Sequence, residues 1–145
     1  MNLGELKHAI EKFENVKKSI ENEIVYENPM LFVNICNQLG NCYLNTDRLQ
    51  KALDNFELSL RMITEIEDEK ESADQPTSPL VVAKICLNIA LLRSKLGFFE
   101  EAVYMHERSL MYKSQVLPKL DNEIRDQNIL LAFAQQRADK NRESC

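Results

Sequence analysis

The chain has 145 residues, a net charge of −5, 44% hydrophobic and 28% charged residues, the balance of one globular domain able to bury a continuous core. No run approaches the ~18 consecutive apolar residues of a membrane-spanning helix, and the opening MNLGELKHAIEKFENVKK lacks the apolar core of a signal peptide. The chain therefore reads as intracellular, cytoplasmic with the nucleus left open, with no membrane insertion and no basic stripe for nucleic acid.

Gly and Pro number only 3 and 4, so long helices joined by short connections are expected. The first segment carries Leu3, Leu6, Ile10, Phe13, Ile20 and Ile24 in steps of about 3.6, one apolar stripe on a helix. Asn28-Pro29 closes it and opens a second helix, with Asn28 as cap and Pro29 at the first helical position. That helix runs to about Leu44. Asn45-Thr46-Asp47 is a turn in which Asn45 takes the left-handed conformation and Thr46 or Asp47 caps the next helix. This third helix, from about Arg48, turns Leu49, Leu53, Phe56, Leu60, Ile63 and Ile66 inward. The polar stretch SADQPTS comes next as a loop. Ser78-Pro79 repeats the cap-and-proline signal for a fourth helix, broken at Gly97. A fifth helix extends from about Phe98 to Val116. A sixth carries Ile124, Ile129, Leu130 and Phe133 as its apolar positions and frays into ADKNRESC. No alternating run suggests a strand.

The segments contain an internal repeat. Cys36-x2-Leu39-Gly40-x2-Tyr43 followed by Ala52-x3-Phe56 returns as Cys86, Ile89, Ala90, Arg93, Gly97, Ala102 and His106, and Gly4, Leu6, Ala9 and Phe13 are the tail of an earlier copy. The small residues Gly40 and Ala90 fall where the first helix of a hairpin crosses the second, with Ala9, Ala52 and Ala102 in the reciprocal place. Phe13 and Phe56 are expected to pack into the neighbouring hairpin. This pattern resembles the tetratricopeptide repeat family, and its long repeats are similar to those of kinesin light chains and related adaptors. The first copy has Cys where the family has Trp. The second has Arg93 for the tyrosine and His106 for the aromatic residue.

The resemblance implies an all-α fold of about six helices, antiparallel hairpins stacked as a right-handed α-solenoid. Residues 1–27 are the second helix of a partial repeat, 29–71 a repeat and 72–78 an acidic, polar loop. Residues 79–117 are a further repeat, 118–138 a partial repeat or capping helix, and 139–145 a disordered tail. It also implies a scaffold or adaptor that holds a partner's peptide or helix in a concave groove lined by first helices. Asn34, Asn37, Asn41 and Asn45 share one face of the second helix, and a carboxamide both donates to and accepts from a peptide backbone. The matching face of the fourth helix is Lys84, Leu87, Asn88, Leu91 and Lys95, with Gln127 on the sixth. The alternative is an assembly module. The first helix has no partner hairpin, so Leu3, Leu6, Ile10, Phe13 and Ile20 form a flank that docks on a second copy or a larger complex, unless the chain is a piece of a longer array.

Catalysis finds little support. Glu100 and Glu101 are adjacent and diverge by ~100° on a helix, and His106 falls on a packing face with no nucleophile nearby. The four cysteines form no CxxC pair and lie far in sequence from His8 and His106. No metal and no cofactor is expected, and Cys36 and Cys86 read as small core residues.

Overall fold

The computed structural model describes residues 2–20, 29–69, 77–118 and 121–143. They form α1 (Leu3–Ile20), α2 (Pro29–Asn45), α3 (Leu49–Glu69), α4 (Pro79–Lys95), α5 (Phe99–Ser114) and α6 (Asn122–Glu143), with no strand among the described residues. Among the same residues no helix is long and apolar enough to cross a membrane. The chain divides into two compact units, Met1–Pro76 and Thr77–Cys145. In the first, α2 packs on both α1 and α3; in the second, α5 packs on both α4 and α6.

Each unit contains a hairpin, α2–α3 or α4–α5, and the two repeat one another at a displacement of 50 residues. Ser59 Oγ donates to the Val33 carbonyl at 3.2 Å, and Ser109 Oγ to the Ala83 carbonyl at 2.7 Å. Both bonds tie the second helix to the start of the first and satisfy a buried hydroxyl. Both turns close alike: Arg48 N–H reaches the Tyr43 carbonyl at 2.9 Å and Phe98 N–H the Arg93 carbonyl at 2.8 Å. These are the six-to-one bonds of a Schellman helix end, which needs one residue at positive φ. Gly97 takes that position at φ 87°, and in the first hairpin Asp47 takes it at φ 58°, not Asn45. Thr46 Oγ1 donates back to the Tyr43 carbonyl, so it does not cap α3. Ser78 likewise makes no side-chain cap; its carbonyl, ahead of Pro79, accepts from Val82 N–H. Asn28 lies outside the described residues.

The helix crossing explains Gly40. A methyl group there would stand 2.7 Å from the Phe56 ring, and Phe56 is fully buried. Phe56 thus packs across its own hairpin onto Gly40, where the sequence suggested a neighbouring one. The second hairpin makes the reciprocal choice at the same two places, Ala90 with His106, both buried: the larger residue on one helix accompanies the smaller ring on the other.

The sixth helix departs from its expected register. Ile124, Gln127, Ala134 and Ala138 are its buried positions, while Ile129, Leu130 and Phe133 are 69%, 40% and 51% exposed. The steps from 124 through 127, 131 and 134 to 138 keep one helical face, and Ile129 and Phe133 fall on the opposite one. The helix also continues through residues 139–143, expected to be disordered: Arg142 Nε pairs with Glu100 at 3.0 Å and its Nη2 with Asp139 at 3.4 Å.

Replacing Gly40 by Ala sets better helix propensity, about 1 kcal/mol, against overpacking of a buried ring, about 1–3 kcal/mol. The ring is fully buried, so Gly40→Ala is expected to lower stability by roughly 1 kcal/mol, read as a lower urea midpoint with an unchanged slope.

Candidate functional site

The amide row of α2 exists as a surface feature. Asn34 and Asn45 are exposed and Asn37 and Asn41 half-buried, on the side opposite Leu39 and Tyr43, which are buried. α2 buries Phe32, Val33, Ile35, Cys36, Leu39, Gly40, Cys42 and Tyr43, so the row is what remains at its surface. Two cross-helix bonds brace the same unit: Tyr43 donates its hydroxyl to Glu14 at 2.7 Å, and Lys17 donates to Asn55 Oδ1 at 3.1 Å. Burial, and then a hydrogen bond to Glu14, pushes the Tyr43 phenol up to about 12, so the hydroxyl keeps the proton it donates across the neutral range.

Asn37 differs from its neighbours. Its Oδ1 is buried and has no hydrogen-bond partner among the described residues, although the residue as a whole is half-exposed. A buried acceptor left unmade costs about 1–3 kcal/mol, and native structures rarely keep one without a reason. At the matching place of the second hairpin stands Leu87, so packing alone does not require an amide there. Turning the terminal amide about its last torsion exchanges its two ends. A ligand that offers both N–H and C=O can engage it in either setting.

On α4 the assigned residues also reach the surface: Lys84, Leu91 and Lys95 are exposed, and Leu87 and Asn88 half-buried. Gln127 does not. It is 2% exposed and lies between α5 and α6, where Oε1 accepts from Lys113 Nζ at 2.6 Å and from Ser109 Oγ at 3.3 Å, and Nε2 stands 3.3 Å from His106 Nδ1. Its polar side chain faces inward because α5 presents three polar groups there, which periodicity could not disclose. Of the flank assigned to assembly, Leu3 is exposed, Leu6 buried, and Ile10 and Phe13 half-buried; the side chain of Ile20 lies outside the described residues.

The chemistry of the remaining groups is quiet. Cys36, Cys42 and Cys86 are buried. Burial raises the Cys42 thiol and pushes Cys86 up to about 11, away from the thiolate that reactivity needs. His106 is lowered, first by burial and then by Lys113. Glu100 is an exposed ion-pair partner of Arg142. Each unit has an open cleft. That of the first, about 430 Å³, is lined by Leu3, Lys7, Ile10, Glu11, Thr46 and Arg48; that of the second, about 320 Å³, lies between Gly97–Glu101 and Asn141–Arg142. No group of three or more metal-ligating side chains occurs among the described residues.

No protein-family model matches the chain, and no curated protein matches it.

If Asn37 is kept for a ligand, its removal should strengthen the free fold. Asn37→Leu, the residue of the second hairpin, deletes the unpaired acceptor and improves helix propensity. Urea unfolding is expected to show a gain of about 1 kcal/mol; a loss of that size would assign Asn37 to the architecture instead.

Proposed function

We propose that the chain is a segment of a tetratricopeptide-type helical array, a scaffold and not an enzyme, and that it binds an extended peptide of a partner protein along the amide row of α2. The observation that carries this reading is the buried, unpaired Oδ1 of Asn37 within a line of four asparagines, between Asn34 and Asn41. Asparagine is a poor helix former, so four on one face of a single helix oppose the local structure. An extended backbone supplies alternating donors and acceptors, which such a row meets whatever the peptide's side chains. The hairpin repeated at 50 residues, with a small residue at its crossing and a serine bonding back to the first helix, supports the array reading. On α4 the corresponding positions carry Lys84, Leu87, Leu91 and Lys95, a surface suited to an acidic peptide with apolar side chains.

The test is direct. A peptide enriched from a random display library on the full chain should lose affinity at least about fivefold with Asn37→Ala and Asn41→Ala together, since two hydrogen bonds at about 0.5–1.5 kcal/mol each are removed. Helicity by circular dichroism should not fall. Unchanged affinity would remove the amide row from the binding surface.

A second reading, association with another copy, rests on a different face. The exposed Ile129, Leu130 and Phe133 of α6 form an apolar strip larger than the exposed remnant of the α1 flank, and such strips mark docking surfaces. Light scattering at increasing concentration distinguishes the cases: on this reading Phe133→Glu converts an associating chain into a monomer. A wild-type chain that stays monomeric throughout contradicts it.

A further inference from the structure

His106, Ser109, Lys113 and Gln127 form a closed polar cluster in the seam between α5 and α6, and each is buried, with 1%, 0%, 6% and 2% exposure. The directions of its hydrogen bonds are fixed by chemistry. Lys113 can only donate, and Ser109 gives its proton to the Ala83 carbonyl at 2.7 Å or to Gln127. The Gln127 oxygen must therefore face them and its amide nitrogen must face His106. That nitrogen only donates. His106 Nδ1 is thus an acceptor, and the ring is neutral with its proton on Nε2.

We propose that this cluster is a proton-sensitive latch, which holds α6 on α5 at neutral pH and releases it on acidification. A proton added to Nδ1 turns the acceptor into a donor that faces the donor of Gln127, and it places a second cation beside the Lys113 ammonium in a site shielded from water.

Among the described residues, no neighbouring element offers an anion to offset that charge. α4 contains no acid at all; its ionisable groups are Lys84 and Lys95, both exposed, the half-buried Arg93 and the buried Cys86 thiol. On α5, Glu100, Glu101 and Glu107 are exposed, while Lys113 is buried and Arg108 half-buried. On α6, Glu123, Asp126, Asp139 and Glu143 are exposed, and so are Arg125, Arg137, Lys140 and Arg142. Its inward positions Ile124, Gln127, Leu131, Ala134 and Ala138 carry no charge. Asp121 is half-buried ahead of the helix and accepts from the Glu123 N–H.

The apolar grip of α6 is also thin. Two of its four buried side chains are alanines and one is Gln127 itself, so the polar cluster is a large share of what docks the helix. The imidazole is held below its ordinary value by burial and by Lys113. A depressed folded value means that the unfolded or undocked state takes up the proton first. The docked state has its full stability above about pH 6.5 and loses it as pH falls from there toward the lower folded value.

Hydrogen-exchange mass spectrometry on the full chain, corrected for intrinsic rates, tests this at pH 7.5 and 5.5. Protection of α6 amides over residues 124–138 is expected to fall several-fold relative to α2, up to about tenfold for a single group whose undocked value is about 6.5. In His106→Asn, whose carbonyl oxygen still accepts from Gln127 but does not titrate, the fall should vanish. Constant protection in the wild type, or an equal fall in the variant, would overturn the latch. If His106→Asn does not fold, Lys113→Met serves instead: without the second cation the acid-induced fall should be smaller, and one as large as in the wild type overturns the proposal.

Discussion

The closeness of the two helices in each hairpin is the constraint on which the other features depend. At Gly40 there is no room for a methyl group against the Phe56 ring, and that contact sets how near α2 and α3 lie. Near approach allows a short hydroxyl on the second helix, Ser59, to reach a carbonyl of the first. It also fixes which face of α2 is consumed by packing. The asparagines occupy the face that is left. A bulkier crossing would loosen the hairpin and change the register of every outward position.

The second hairpin keeps the same bonds with a different pair at the crossing, and the difference has consequences further along. Ala90 takes more space than glycine, and His106 replaces a phenyl ring with an imidazole that needs a hydrogen-bond partner when buried. Gln127 of α6 supplies it, and Lys113 and Ser109 complete the set. One substitution at a packing position thus brings with it a polar seam, and α6 turns a glutamine inward while Ile129 and Phe133 face out. The apolar strip left on α6 is the counterpart of that choice.

Much of this was legible in the sequence. Six helices, the Pro29 and Pro79 starts and the reversal at Gly97 arise from local chemistry, because prolines, glycines and apolar periodicity act within one turn of helix. The four asparagines were equally visible, since a stripe on one helix needs no tertiary information. Gln127 was misplaced because its partners are on another helix, and a polar residue reads as exposed until something polar is known to face it. The apolar face of α6 failed for the same reason. Ile129, Leu130 and Phe133 outweigh Ile124 and two alanines in hydrophobicity, yet the helix docks by the side that satisfies His106 and Lys113. The left-handed residue at the first turn, Asp47 and not Asn45, was missed by two positions. Several turn residues there tolerate positive φ, and only the hydrogen bond from Arg48 to Tyr43 selects among them.

The proposed peptide capture involves a single helix face, so it can be examined at atomic resolution without knowing the natural partner. The most direct measurement is the NMR spectrum of the asparagine side-chain amides during titration with a library-selected peptide. The Asn37 and Asn41 amide protons are expected to shift and to gain protection from solvent exchange, while Asn2, exposed ahead of α1, stays unchanged. A peptide that binds while Asn37 and Asn41 keep their free-state resonances would contradict capture by the amide row.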